Sequence, residues 1–212
     1  DENNKNTQVP GAVYEEGESM SAIKAVRSLG IDPTTGKELF VKKNGELTYT
    51  WDAEDKVICG DTEPKVSGAF GANADWKGFN INVSFLYQCG GQVYNQTLVD
   101  RVEDANLSWN VDRRVLKGRW KEPGDHTFFK DIKNRDRTEV SSRFVQDENV
   151  LQFKSLSFSY SFPTELIQRW SLERLKLTFQ MEDIFRISNV KRERGLDYPF
   201  ARIFNVGLQV QF

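Results

Sequence analysis

Apolar and polar residues alternate along most of this chain with a period of two, not with helical spacing. In the last segment Phe200, Phe204, Val206, Leu208, Val210 and Phe212 share one parity, broken only by Arg202. Ala201, Ile203, Asn205, Gly207, Gln209 and Gln211 occupy the other parity. This spacing predicts a strand of about 13 residues with one oily face. Leu156, Phe158, Tyr160 and Phe162 alternate with Ser155, Ser157, Ser159 and Ser161, and Pro163 stops the pattern. Leu175, Leu177, Phe179 and Met181 alternate with charged and polar neighbours. So do Phe79, Ile81, Val83, Phe85 and Tyr87, although Leu86 breaks parity.

Weaker strands are predicted over 66–74, joined to the strand at 79 by Asp75-Trp76-Lys77-Gly78, and over 46–51. Residues 20–29 are ambiguous. Connections near 75–78 and 163–172 are short, whereas 90–148 and 187–198 are longer. The stretch 90–148 reads as a polar loop of a length uncommon in a compact soluble domain. Helical spacing of Leu98, Val102 and Ala105 suggests a short helix within 95–118. No fixed-period repeat or low-complexity linker marks a domain boundary.

Composition narrows the chemistry. The 212 residues carry 29 Lys+Arg against 31 Asp+Glu, a formal charge of −2, which argues against a nucleic-acid binder. One His and two Cys leave no basis for a Cys-based zinc site or a His-based triad, and no cofactor is expected. No apolar run approaches the length of a transmembrane helix. A mean hydropathy of −0.58 suggests an ordinary soluble domain, yet a barrel strand needs only every second residue to be apolar. Asp1 and the polar residues after it are no signal peptide, so a processed chain or a piece of a longer one is expected.

Two folds explain the alternation: a soluble β-sandwich, such as a carbohydrate-binding module, and an antiparallel transmembrane β-barrel segment. Strands of about 10–14 residues favour the barrel, since sandwich strands are usually about 5–6 residues and a tilted membrane strand needs about 9–11. So do aromatics at strand ends, namely Trp51, Trp76, Tyr87, Tyr160, Phe162, Tyr198 and Phe212. An enzyme has no support beyond scattered carboxylates.

Several ordered stretches carry a resemblance. They are Ser28–Phe40 (SLGIDPTTGKELF), Gly60–Lys65 (GDTEPK), Trp76–Phe79 (WKGF), Gly90–Asn95 (GGQVYN), Arg119–Gly124 (RWKEPG), Ser141–Val145 (SSRFV), Leu156–Pro163 (LSFSYSFP) and Lys191–Arg202 (KRERGLDYPFAR). In this order they resemble the C-terminal part of SusC/RagA-type TonB-dependent transporters of the Bacteroidota outer membrane. The resemblance implies that residues 1–212 supply the last strands of a ~22-stranded barrel, with long loops on one side. The plug domain and earlier strands would be absent, since only six or seven strands are predicted here. It also implies a SusD-like surface lipoprotein, a TonB complex acting through the missing N-terminal part, a glycan or peptide substrate and a lipid bilayer as partners. Gly207, Val210 and Phe212 resemble the terminal signal read by the barrel assembly machinery, although Val206 stands where that signal has a polar residue.

Remaining candidates weigh less. Tyr94, Trp109 and Trp120, in or beside the long loop, are candidate substrate or partner contacts, with packing inside the loop as the competing reading. His126 and the Asp52, Glu54, Asp55 cluster read as polar turn residues. Lys130–Arg137 mixes signs and reads as a solvated loop, and Lys191–Arg194 is a second charge-rich run. An oxidising periplasm would permit a Cys59–Cys89 disulfide, which the sequence leaves open.

Overall fold

The computed structural model describes residues 16–191 and 203–212. Nine strands are present among them: β1 (Ala22–Ile31), β2 (Glu38–Val41), β3 (Leu47–Thr48), β4 (Lys56–Asp61), β5 (Val66–Trp76), β6 (Phe79–Tyr94), β7 (Val145–Ser161), β8 (Arg174–Ser188) and β9 (Ile203–Gln211). They form a four-stranded sheet in the order β3-β2-β1-β4 and a five-stranded sheet in the order β5-β6-β7-β8-β9. The protein is an antiparallel β structure, and the five-stranded sheet is open, not closed into a barrel. No described helix is long and apolar enough to cross a membrane.

The chain forms two compact units where the sequence shows no boundary. Among the described residues, one holds 16–64, 91–147 and 190–191; the other holds 65–90, 148–189 and 203–212. Each unit is assembled from separate pieces of chain, so no linker composition marks the division.

In the first unit β1 is the central strand. The ambiguous segment 20–29 is therefore extended, and Ala22, Ile23, Ala25 and Val26 are buried along it. The connection between β6 and β7 is a packed structure instead of the polar loop expected. Asn95 accepts a hydrogen bond from the Leu98 amide at 2.9 Å and caps a helical turn, Gln96–Leu98, continued by a π-helical turn, Val99–Glu103. That places Leu98, Val102 and Ala105 in one core cluster with Val99, Val115 and Phe144. The helical spacing read there is present, on a shorter element. The polar composition misled because charged residues stand beside most of the buried apolar ones, and the side chains of two of them, Glu103 and Arg143, are themselves buried in ion pairs.

In the second unit, the β5–β6 hairpin turns on Lys77 and Gly78, with φ of 46° and 87° between the paired residues Trp76 and Phe79. Two positive φ values make the tight turn whose twist matches that of the flanking strands. Residues 163–173 connect β7 to β8 through a helical turn, Thr164–Ile167, and a 3₁₀ turn, Gln168–Trp170. The β7–β8 register shifts between Phe153 and Ser155, where β8 holds one extra residue around Asp183, at φ 49°. Strand β9 begins at Ile203; its expected start at Phe200, along with Tyr198 and nearly all of the Lys191–Arg202 stretch, lies outside the described residues.

Candidate membrane-facing surface and buried charge network

Register decides which side chains share a face. Val66, Phe70, Ala72, Ala74 and Trp76 on β5 pair with Cys89, Phe85, Val83, Ile81 and Phe79 on β6. Leu156, Phe158 and Tyr160 on β7 pair with Met181, Phe179 and Leu177 on β8. Phe204, Val206, Leu208 and Val210 on β9 pair with Met181, Phe179, Leu177 and Leu175. The same apolar positions therefore run from strand to strand across the sheet. The bulge preserves this continuity. Before it, the apolar parity on β7 is odd (Leu151, Phe153) and after it even, yet both sets reach the odd positions of β6. Phe153 stacks on Phe85 at 4.5 Å, and Phe158 and Tyr160 pack on Phe79 at 5.7 and 4.3 Å.

Aromatics form two rows on this face. Phe70, Phe85, Phe153 and Phe185 make a ladder across four strands, with successive centroids 5.1, 4.5 and 5.4 Å apart. The second row, Trp76, Phe79, Tyr160 and Phe162, lies at the end that carries the Lys77-Gly78 turn, where Ser161 donates to the Gly78 carbonyl at 2.8 Å. Phe212 follows β9 at that same end. Trp51, expected in such a row, instead lies in the first unit and donates its indole N–H to the Val140 carbonyl.

The apolar face of this sheet is uncovered: Val206 is 73% exposed and Leu208 65%. A β-sandwich would cover the apolar face, and it is open. From Phe79 to Cys89 that face runs about 34 Å along β6, which at a tilt of about 40° projects to about 26 Å. An outer-membrane barrel carries an apolar band about 25 Å tall.

In the first unit, charged residues converge instead of dispersing into water. The Arg143 side chain is 3% exposed and donates to Glu38 at 2.7 Å, to Glu103 at 3.1 Å and to the Phe128 carbonyl at 2.6 Å, with its guanidinium 4.5 Å from the Phe144 ring. Burial pushes the Glu103 carboxyl above its ordinary range, and Arg143 opposes that shift. Arg119 donates to the carbonyls of Val102, Glu103, Val115 and Lys130, which ties the helical turns to the following segment. Lys130 is buried and bonded to Asp104, Thr138 and the Asp136 carbonyl, so the expected solvated loop 130–137 is anchored at its first residue. Its mixed signs reflect buried pairing at Lys130; from Arg135 to Arg137 the side chains are exposed.

Of the contact candidates, Trp109 is exposed. Trp120 donates its N–H to the Pro33 carbonyl at 2.9 Å, and its ring lies where a Cβ on Gly36 would come within 2.7 Å. Tyr94 packs edge-on against Phe144. Gly207, Val210 and Phe212 lie on or just after β9 and are exposed. His126 is exposed, Asp52 caps the turn Ala53–Asp55, and Cys59 and Cys89 are free thiols. Sequence reasoning missed Glu38, Glu103, Arg119 and Arg143. The signal was available, since Glu38, Arg119 and Arg143 each lie inside one of the ordered stretches.

A long-stranded antiparallel sheet with one uncovered apolar face is the arrangement that outer-membrane β-barrels use. No family model matches the chain. It is 27% identical over 207 residues to TonB-dependent receptor P3 of Formosa agariphila, covering 87% of this chain and 20% of that protein. It is 25% identical over 160 residues to TonB-dependent receptor P39 of the same organism, covering 73% and 15%. The structure of the RagAB peptide importer in its open-open state superposes with a TM-score of 0.71 at 19% identity, over 90% of this chain and 22% of that one. A structure of the RagAB peptide transporter gives 0.70 at 19% identity, over 90% and 23%. The chain is thus similar over most of its length to TonB-dependent receptors and shares the fold of part of the RagAB structures. It spans about one fifth or less of the length of these curated relatives.

Proposed function

We propose that this chain is the C-terminal part of the barrel of an outer-membrane importer that takes up glycans or peptides through a ~22-stranded wall. The observation that carries this reading is the five-stranded sheet with its uncovered apolar face. A SusD-like surface lipoprotein would capture substrate, and a TonB complex, acting through a plug domain encoded elsewhere in the receptor, would supply energy. The relatives named for TonB dependence and the likeness to the RagAB peptide importer support this division of labour. Within it, the sheet is the lipid-facing wall, and the packed connection 95–144 is the longest of the loops. Trp109, exposed on that connection, is the candidate contact for substrate or lid, whereas Tyr94 and Trp120 pack against Phe144 and Pro33.

Gly207, Val210 and Phe212 are proposed as the assembly signal. An outermost strand with an aromatic at its end offers unpaired backbone groups and a side-chain anchor to an assembly factor by edge pairing. Uptake of labelled oligosaccharides and oligopeptides by cells lacking the receptor, the lipoprotein or TonB tests the whole reading. Loss of the same uptake in all three strains supports it, and full uptake without the receptor refutes it.

A further inference from the structure

The connection between β7 and β8 displays apolar side chains that the sheet does not use. Pro163 precedes it, the Leu166 and Ile167 amides donate to the Pro163 carbonyl, and Ile167 is buried beneath it. The segment ends at Ser171 in the left-handed region, φ 57°, with the Leu172 amide returning to the Ile167 carbonyl at 3.3 Å. Both its ends are tied to the sheet: Phe162 donates to the Leu175 carbonyl at 3.0 Å and Glu173 to the Gln211 carbonyl at 2.8 Å. This is a clamped turn, with a fixed height relative to the strands.

Leu166 and Trp170 stand one helical turn apart, and both are exposed, 51% and 64%. They belong to the strand end that carries Trp76, Phe79, Tyr160, Phe162 and Phe212, the aromatic edge of the outward apolar face. Exposed charges of both signs lie at the same end: Lys77, whose ammonium sits 5.1 Å from the Trp76 ring, Arg169 and Arg174, with Glu165 and Glu173. Trp beside Arg and Lys at the rim of an apolar band matches the boundary between lipid chains and phosphates.

We infer that residues 163–173 form an interfacial anchor, in which Leu166 and Trp170 enter the leaflet on the short-turn side of the membrane while Arg169 meets its phosphates. The occupant of this surface is phospholipid. The inference rests on the spanning role of the sheet, and the test separates the two.

Spin labels are placed in the intact receptor, in a background with Cys59→Ser and Cys89→Ser, at Trp170→Cys, Val206→Cys and Gln209→Cys. The receptor is reconstituted in phosphatidylethanolamine–phosphatidylglycerol vesicles. Collision of each label with oxygen, which concentrates in lipid, is compared with collision with a water-soluble nickel chelate. The expected oxygen-to-nickel ratio is high at Val206, low at Gln209 and intermediate at Trp170. A Trp170 label as wet as that at Gln209, or as dry as that at Val206, overturns the anchor while the sheet's role stands. Equal ratios at Val206 and Gln209 overturn the spanning reading and the anchor with it.

Discussion

Arg143 bridges two carboxylates, Glu38 and Glu103, in a site closed to water. Truncating it to Ala leaves both without their shared cation, which costs about 3–5 kcal/mol when a buried pair loses one partner. Chemical denaturation of the first unit within the receptor checks this, and a loss below about 1 kcal/mol would show that the network is peripheral. The change also alters pH dependence. Burial raises the Glu103 carboxyl, and without Arg143 only the amide and the charge of Lys130 oppose the rise. An acid raised on folding favours the fold while protonated, so the R143A protein should lose stability as pH climbs above the ordinary Glu range. Asp112 behaves oppositely. The Arg114 side chain and amide hold its carboxyl down at about 2, so the stability it lends is present above its ordinary value of 3.8 and is lost as pH falls toward 2. A carboxyl NMR titration of Asp112 with a midpoint near 4 would contradict that assignment.

At the level of single elements, the β5–β6 hairpin depends on its turn. Gly78 has φ +87°, and a Cβ there would lie 2.6 Å from the Ser161 carbonyl oxygen, so the fault reaches β7 as well. Gly78→Val should destabilise the sheet by more than about 1 kcal/mol, whereas Lys77→Gly, at φ 46°, should be neutral or better. Unfolding midpoints of the two variants check the ordering. This turn was readable in the sequence, because Trp76-Lys77-Gly78-Phe79 separates two runs of opposite phase. The β7–β8 bulge was not. The apolar parity does switch between Phe153 and Leu156, but the extra residue sits on the partner strand, at Asp183, whose αL geometry is stabilised by Lys154 and Gln152 only after the strands have paired. Strands β6, β7 and β8, of 16, 17 and 15 residues, exceed the expected length, whereas the strand expected over 46–51 is paired only at Leu47–Thr48.

Across the whole molecule, the period-two pattern made the apolar face legible, since alternation survives whatever the neighbouring strands are. Its continuity over five strands was not legible, because register comes from pairing. The charge network escaped for a related reason: Glu38, Glu103, Arg119 and Arg143 are far apart along the chain, and each alone looks like a surface residue. The ordered stretches quoted from the sequence thus include structural ties as well as membrane wall. Phe212 connects this scale to assembly. Phe212→Ser in the intact receptor should lower the amount in the outer membrane without changing the uptake rate per assembled molecule. Unchanged surface levels would remove the signal role.

The account stands on the claim that the apolar face of the five-stranded sheet meets lipid. Leu208 and Gln209 are neighbours on β9 with opposite faces, Leu208 paired with Leu177 and Gln209 with Lys176. Introducing Arg at each in turn, and measuring the unfolding free energy of the receptor from phospholipid vesicles, reads that difference directly. Leu208→Arg should cost about 2–4 kcal/mol if it enters the bilayer near its midplane, and Gln209→Arg far less. Equal costs at the two positions, or a larger one at Gln209, would contradict the claim.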